Sequence, residues 1–200
     1  MVEERLRGVR LLRGRLDRAA QEAAVAAARA VAAAAPFVTP VTRRGQALSV
    51  RMTAAGACGW VSDRRGYRYE DRHPSGAPWP PIPAAWLALW RDVCPGARDP
   101  DSALVNWYGP GARMGMHQDR DEADLAQPVL SVSLGDDARF RVGSVERGGR
   151  TESTVLRSGD VAVLEGAARL VHHGIDRIAP GTCDLLEAPG RINLTLRVAR

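Results

Sequence analysis

Residues 129–142 read Val-Leu-Ser-Val-Ser-Leu-Gly-Asp-Asp-Ala-Arg-Phe-Arg-Val, a pattern typical of two short strands joined by a turn. An apolar run comes first, Gly135-Asp136-Asp137 supplies the turn, and charged and apolar residues alternate after it. The same pattern extends along the chain from Asp101 onward, where we predict the strands Ser102–Tyr108, Met114–Gln118, Val129–Leu134, Arg139–Val142, Thr154–Arg157, Val161–Leu164, Arg169–His172 and Arg191–Val198. Short strands separated by turns are typical of a jelly roll or barrel and not of a parallel α/β sheet.

The first half of the chain has a different sequence pattern, which predicts helices as well as strands. Asp17 can cap a helix that runs to about Ala35, where Pro36 stops it. A second helix is expected from Pro83 to Cys94, and only short strands such as Ala47–Thr53 are expected between the two helices. The sequence therefore predicts an α+β, mainly β protein that forms one structural unit, with residues 1–95 preceding a jelly-roll core of residues 96–200.

Composition excludes several kinds of chemistry. All 28 basic residues are arginine, so lysine-dependent Schiff-base and pyridoxal-phosphate enzymes and a Walker A phosphate loop are ruled out. The net charge of +5 and the isoelectric point of about 9.8 suit a polyanionic partner. Codon bias in an Ala- and Arg-rich chain would give the same charge, so the charge alone favours neither explanation.

The cysteines and the apolar segments bear on location. Cys58, Cys94 and Cys183 are odd in number and far apart, which argues against a disulfide framework and favours a reducing compartment. The most apolar stretch, Ala23–Ala35, is too short and too weakly hydrophobic to cross a bilayer, and the N-terminus has no signal-peptide pattern. We expect a cytoplasmic protein with no membrane partner.

A candidate metal site begins with His117-Gln118-Asp119. On a strand the imidazole and the carboxylate, two residues apart, point to the same face. Two histidines and one carboxylate form the facial triad that binds Fe(II), so a further histidine is needed from His73, His172 or His173. The alternatives without metal binding are a surface turn for His-Gln-Asp and ordinary core histidines for His172 and His173.

The last predicted strand suggests an anionic ligand. In Arg191-Ile192-Asn193-Leu194-Thr195-Leu196-Arg197 the odd positions are polar and the even positions apolar, so each set shares one face. If the polar face looked into a barrel, two guanidiniums would be buried, and a ligand with two carboxylates would stabilise them. The alternative is a solvated outer face. Leu104, Asn106 and Tyr108 share a face in the same way and could meet the same ligand.

Together these residues resemble the AlkB family of nucleic-acid demethylases, and its bacterial members most closely. The resemblance is in the runs Asn106-Trp107-Tyr108-Gly109-Pro110-Gly111, His117-Gln118-Asp119-Arg120-Asp121-Glu122, Val129–Gly135, His173-Gly174-Ile175 and Arg191–Arg197. Upstream it includes Leu48–Thr53, Cys58-Gly59-Trp60 and Arg65–Tyr69, so that the matching motifs span about residues 36–198 in order.

The resemblance implies an Fe(II)- and 2-oxoglutarate-dependent dioxygenase, using O₂, on a double-stranded β-helix, with an N-terminal helix and a nucleotide-recognition lid before residue 96. It assigns the metal and catalytic site to His117, Asp119 and His173. It assigns the 2-oxoglutarate site to Leu104, Asn106, Trp107, Tyr108, Arg191, Asn193, Thr195 and Arg197. It assigns substrate contacts to Met52, Trp60, Tyr67, Arg68, Tyr69, Asp121 and Arg147.

Some positions depart from the family pattern. Trp107 stands where the family commonly has arginine, on the face opposite Asn106, so we expect repacking there. His172 replaces an aromatic residue beside His173; alternation points it away from the metal, although a swap of the two ligands stays open. The match is weak over Ser144–Thr151, which leaves lesion preference open.

The expected function is repair of alkylated DNA or RNA by a monomer that flips the damaged base into its site. The substrates would be bases such as 1-methyladenine and 3-methylcytosine, demethylated oxidatively with release of formaldehyde, succinate and CO₂. A cationic methylated base would stack on an indole such as Trp60 and favour a nearby carboxylate such as Asp121. One alternative keeps the iron chemistry with a protein side chain or a small metabolite as substrate. Another is a catalytically inactive module that binds damaged nucleic acid.

Overall fold

The architecture comes from a computed structural model that describes residues 2–200. Thirteen strands and two α-helices occur in these residues, with a single 3₁₀ turn at Gly166–Ala168. In chain order they are β1 Val2–Leu6, β2 Val9–Arg13, α1 Arg18–Ala34, β3 Val50–Gly56, β4 Gly59–Asp63, β5 Gly66–Glu70, α2 Ala84–Val93, β6 Ser102–Tyr108, β7 Met114–His117, β8 Val129–Gly135, β9 Asp137–Val142, β10 Glu152–Leu156, β11 Val161–Leu164, β12 His173–Ala179 and β13 Arg191–Arg197.

Two antiparallel sheets form the framework. The larger has the order β1-β2-β11-β8-β13-β6-β3 and the smaller the order β10-β9-β12-β7, while β4 and β5 make a separate hairpin. Strands that lie far apart in the chain are neighbours in both sheets, as expected of a jelly roll. The predicted fold class is confirmed.

Apolar side chains from both sheets fill the space between them. This inner core includes Leu11, Leu104, Phe140 and Ile175. A second apolar layer covers the outer face of the larger sheet, where buried residues of α1 and α2 such as Trp90 pack on the strands. The two helices therefore leave the inner face of the larger sheet free to line a site.

Both predicted helices are present. Asp17 caps α1 by accepting a hydrogen bond from the backbone N–H of Ala20 (2.8 Å), and α2 ends before Cys94. Neither helix has the length and hydrophobicity to span a membrane.

The N-terminal hairpin was not expected from the sequence. β1 and β2 are joined by Arg7 and Gly8, both with positive φ (49° and 87°), and β2 pairs with β11. β3, also from the first half of the chain, pairs with β6 at the other side of the same sheet. Residue 95 is therefore not a break in the larger sheet, because strands from both sides of it belong to that sheet.

The strand predicted over Arg169–His172 is wrong. These residues follow the 3₁₀ turn Gly166–Ala168, and β12 begins only at His173. The backbone N–H of Arg169 bonds to the carbonyl of Gly166 at 3.1 Å, which continues the turn through residue 169. The strand predicted at Ala47–Thr53 is displaced, since β3 begins at Val50 and continues to Gly56.

Candidate active site

Two neighbouring strands of the smaller sheet hold the two histidines. β7 ends at His117, β12 begins at His173, and the two residues are paired across the strands. Gly174 permits this close approach, because a Cβ there would come within 2.6 Å of the carbonyl oxygen of Met114. Asp119 follows just after β7, with its carboxylate oxygens 3.6 Å from Nε2 of His117 and 3.7 Å from Nε2 of His173. One ligand atom from each residue lies within 4.8 Å of the others, so the three could hold one metal ion.

The hydrogen bonds of the histidines prepare Nε2 for a metal. Nδ1 of His117 is 2.9 Å from the carbonyl oxygen of Gly115, and Nδ1 of His173 is 3.1 Å from that of Val171. A carbonyl can only accept, so each Nδ1 carries a hydrogen, and in the neutral imidazole this leaves the lone pair on Nε2, the nitrogen nearest Asp119. Such second bonds fix both the tautomer and the orientation of a metal-ligating histidine.

Charges around the triad favour the ligating protonation states. Burial would raise the pKa of Asp119, but Arg197, then His173, His117 and Arg169, hold that pKa well below its ordinary value. Burial, followed by the neighbouring His117, lowers the pKa of His173 to about 4. At neutral pH Asp119 is therefore ionised and His173 is uncharged.

Behind Asp119 lies a buried cluster of two arginines and two carboxylates. Arg197 donates from Nη2 to Asp119 Oδ1 at 2.8 Å and from Nη1 to Glu122 Oε1 at 3.3 Å. Arg169 donates from Nη2 to Glu122 Oε2 at 3.0 Å. Sequence reasoning missed the roles of Glu122 and Arg169, because a buried ion pair between loops has no periodicity.

Arg191, at the other end of β13 from Arg197, is buried without an acid. Its side chain donates from Nη2 to Ser133 Oγ at 2.7 Å and lies over the ring of Tyr108, 5.5 Å from the centroid. Nε and Nη1 are buried and have no hydrogen-bond partner, and burial lowers the pKa of this guanidinium. A carboxylate entering the cavity would pair with this guanidinium through Nη2 and one of the two open nitrogens, which is the fit expected for one end of a dicarboxylic keto acid.

The polar face of β13 turns inward. Asn193 donates to Ser131 Oγ at 2.7 Å and accepts from Thr195 Oγ1 at 2.9 Å, while Nδ2 of Asn106 lies 3.4 Å from Asn193 Oδ1. Every residue of β13 is buried. The alternative of a solvated outer face is therefore wrong.

One cavity of about 310 Å³ lies between the sheets and contains most of the expected site residues. Its lining includes the three candidate metal ligands, and it also includes Met52, Leu104, Asn106, Tyr108, Arg191, Asn193, Thr195 and Arg197. Trp60, Tyr67 and Asp121 line the same cavity where it meets solvent, since the Tyr67 side chain is 48% exposed. The Trp60 and Tyr67 rings stack with centroids 5.4 Å apart, and Nε1 of Trp60 donates to Asp121 Oδ2 at 2.9 Å.

Four expected site residues lie outside this cavity. Trp107 points to the opposite face of β6, against Gly190, because strand residues alternate. Arg68 likewise faces away from Tyr67 and is bound to Asp63 and Glu70.

The other two are Tyr69 and Arg147. Tyr69 is directed behind the cavity and donates its hydroxyl hydrogen to Glu122. Arg147 is exposed in the loop between β9 and β10. These positions do not support direct cosubstrate contact by Trp107 or contacts with a base in the cavity by the other three residues.

His172 does not replace His173 as a ligand. Its Nδ1 lies 3.1 Å from the carbonyl oxygen of Ser144, in the loop after β9, and His172 is outside the cluster of His117, Asp119 and His173. His172 therefore points away from the triad, as the sequence indicated, although it lies just before β12 and not within a strand.

Comparison with known proteins agrees with this geometry. Residues 8–197 match the family model described as the 2OG-Fe(II) oxygenase superfamily. The chain is 57% identical over 188 residues to the alpha-ketoglutarate-dependent dioxygenase AlkB homolog of Caulobacter vibrioides, covering 94% of this chain and 86% of that protein. The chain belongs to the AlkB family of 2OG-Fe(II) oxygenases.

Two more comparisons extend this assignment. Alpha-ketoglutarate-dependent dioxygenase AlkB of Escherichia coli is 40% identical over 174 residues, which cover 84% of this chain and 80% of that one. The solved structure of OsALKBH1 superposes with a TM-score of 0.82 at 32% identity, covering 97% of this chain and all of that one. This AlkB-family chain is accordingly an Fe(II)- and 2-oxoglutarate-dependent dioxygenase, with His117, Asp119 and His173 as its facial triad.

Proposed function

We propose that this dioxygenase removes alkyl groups oxidatively from damaged DNA or RNA bases such as 1-methyladenine and 3-methylcytosine. The observation that carries the proposal is the continuity of one cavity from the metal triad and Arg191 to the stacked aromatic pair Trp60 and Tyr67. A site for a small metabolite needs no solvent-exposed aromatic pair, whereas a base needs a planar surface.

Two arginines of the cavity bind the two carboxylates of the cosubstrate in this proposal. We assign Arg191 to the distal carboxylate of 2-oxoglutarate, because two of its buried nitrogens lack partners. Arg197, which already holds Asp119, is assigned to the carboxylate nearer the metal. When bound, Fe(II) with 2-oxoglutarate and O₂ supplies the oxidation, in which the keto acid becomes succinate and CO₂ and an N-methyl C–H becomes C–OH. The N-hydroxymethyl base then releases formaldehyde.

The outer part of the cavity suits a flipped base. A base within a duplex cannot reach a buried metal, so it has to leave the stack, and an aromatic surface compensates for the lost stacking. We propose that Trp60 and Tyr67 supply that surface. Asp121 keeps one carboxylate oxygen free of Trp60, and this oxygen would accept a hydrogen from the exocyclic amine of adenine or cytosine. Its charge would also favour a cationic methylated base.

The test is product formation on defined oligonucleotides. We expect formaldehyde and succinate from oligonucleotides containing 1-methyladenine or 3-methylcytosine, in the presence of Fe(II) and 2-oxoglutarate, and no formaldehyde from the unmethylated sequence. His117→Ala serves as the inactive control. Binding of 2-oxoglutarate without formaldehyde release would refute the substrate assignment and favour a protein or metabolite substrate. Oligonucleotide binding without any succinate would favour the catalytically inactive module.

Other features of this proposal come from the sequence. We propose a monomer that acts in the cytoplasm, with a nucleotide-recognition lid within residues 1–95. The strands β1, β2 and β3 of the same residues extend the core formed by residues 96–200. Within residues 1–95 the β4–β5 hairpin is the part that supplies Trp60 and Tyr67 to the cavity.

A further inference from the structure

Glu122 is a buried acid with no contact to the cavity. Its side chain is 1% exposed, and it is absent from the cavity lining. Three donors share its two oxygens: the Tyr69 hydroxyl at 2.6 Å, Arg197 at 3.3 Å and Arg169 at 3.0 Å. A carboxylate that lies outside the cavity can influence the site only through its neighbours.

On one side these neighbours lead to the hairpin. Tyr69 lies on β5 directly across from Trp60 on β4, in the pair Trp60↔Tyr69. Its hydroxyl is the hairpin's hydrogen bond to Glu122, and it also accepts from Arg197 Nη1 at 3.3 Å. A shift of the hairpin, such as a base stacking on Trp60 would cause, therefore changes the surroundings of Glu122.

On the other side the neighbours lead to the metal ligand. Arg197 binds the side chain of Asp119 at 2.8 Å, and Arg169 binds its backbone carbonyl at 2.6 Å. Glu122 thus connects both arginines that fix Asp119. In a low-dielectric interior a network of this kind orients its members more strongly than isolated bonds in water do.

We propose that Glu122 is a positioning residue that couples the β4–β5 hairpin to Asp119 through Arg197, with the Tyr69 hydroxyl as the contact on the hairpin. This inference rests on the proposed function, because it takes a nucleotide to be the occupant of the hairpin. Nucleotide binding would then tighten metal binding, and metal binding would tighten nucleotide binding by the same factor, because coupling between two sites is reciprocal.

Coupling is measured with Mn(II), whose binding is followed by the loss of the free-ion electron paramagnetic resonance signal. The full-length enzyme is titrated in the presence of 2-oxoglutarate, with and without an oligonucleotide containing 1-methyladenine. In the wild-type enzyme we expect the oligonucleotide to raise the Mn(II) affinity by about 5-fold or more, the lower end of typical coupling. In Tyr69→Phe, which removes one hydroxyl, we expect the increase to fall below about 2-fold.

Glu70→Gln is the matched control. Glu70 follows Tyr69 on β5 but points to the opposite face, where it binds Arg68, so the wild-type coupling should persist. Glu122→Gln keeps the shape of the side chain and should reduce the coupling as Tyr69→Phe does; if it fails to fold, Tyr69→Phe decides alone. A Tyr69→Phe enzyme that keeps the wild-type coupling overturns the proposal, and so does a wild-type enzyme without coupling.

A separate measurement keeps the two proposals apart. Formaldehyde release by the wild-type enzyme from the same oligonucleotide tests the function. Absence of formaldehyde refutes the function, whereas formaldehyde release together with unchanged coupling in Tyr69→Phe refutes only the role of Glu122. Under our proposal Tyr69→Phe also forms more succinate per formaldehyde than the wild-type enzyme or Glu70→Gln.

Discussion

Replacing Arg191 by methionine should weaken 2-oxoglutarate binding without destabilising the ligand-free protein. Arg191 is 1% exposed, has no acidic partner among residues 2–200, and leaves two nitrogens of its guanidinium without hydrogen bonds. Methionine has a similar length and no charge to desolvate. The folded protein without ligand therefore carries an unfavourable burial that Arg191→Met removes, while the bound cosubstrate loses its anchor.

The magnitudes follow from the hydrogen bonds of this guanidinium. A hydrogen bond to a charged group contributes about 1.5–3 kcal/mol, so the two bonds of a bidentate carboxylate contribute roughly 3–6 kcal/mol, and their loss weakens affinity by roughly 150- to 20,000-fold. Replacing a buried ionic group by an apolar side chain of similar size is neutral or stabilising by about 1–4 kcal/mol. The lost bond to Ser133 offsets part of that gain, so we expect an unfolding free energy that is unchanged or higher by about 1–3 kcal/mol.

Arg197→Met is the matched comparison on the same strand. Arg197 is paired with two buried carboxylates, and breaking such pairs typically destabilises a protein by about 3–5 kcal/mol. Urea unfolding of both variants without metal or cosubstrate measures stability, and calorimetric titration of Arg191→Met with 2-oxoglutarate and Mn(II) measures affinity. If Arg191→Met lost as much stability as Arg197→Met, or bound 2-oxoglutarate within 3-fold of the wild-type affinity, the reasoning would be refuted.

Three further outcomes are expected. His117→Ala leaves two of the three metal ligands. Loss of a residue that only hydrogen-bonds to a ligand lowers metal affinity by up to about 100-fold, so loss of a ligand itself should lower the Mn(II) affinity by more than that. A smaller loss in a Mn(II) titration would contradict the triad. Trp60→Ala removes a stacking surface that contributes about 1–3 kcal/mol, so the affinity for a methylated oligonucleotide, measured by fluorescence anisotropy, should fall by roughly 5- to 150-fold. An unchanged affinity would contradict the base-stacking role. Burial raises the pKa of Cys58 to about 11 and of Cys94 to about 12. Both therefore remain thiols at pH 8 and should resist iodoacetamide until urea is added. If mass spectrometry finds either cysteine labelled in the folded protein, its burial is contradicted.

Local sequence patterns were sufficient to predict those elements whose structure depends on residues that are neighbours in the chain. Asp17 caps α1 as expected, and the alternation in β13 placed Arg191 and Arg197 on one face, which the structure turns inward. The N-terminal hairpin was missed because its turn, Arg7-Gly8, lacks the Asn-Gly or Asp-Gly signal of a two-residue turn, and because β2 is stabilised by pairing with β11. A partner so distant in the chain leaves no local signal.

The same limit applies to the candidate site. The pairing of His117 with Asp119 follows from their spacing on a strand, whereas the choice of His173 and the cosubstrate roles of Arg191 and Arg197 came from the resemblance to the AlkB family. The position of Tyr69 depends on the tilt of the hairpin against Glu122, and the positions of Arg68 and Trp107 depend on which strand face the cavity occupies. These are properties of packing between elements, and strand periodicity alone does not determine them.

The pairing of β2 with β11 has a consequence for synthesis on the ribosome. β2 leaves the exit tunnel long before its partner β11 is synthesised, because β11 lies far downstream in the chain. Until β11 is synthesised, β1 and β2 lack this pairing partner, and an isolated two-stranded hairpin is only marginally stable. Contacts between such distant segments slow folding and expose strand edges meanwhile. A ribosome stalled before residue 161 would therefore carry a nascent chain in which β1 and β2 remain sensitive to protease.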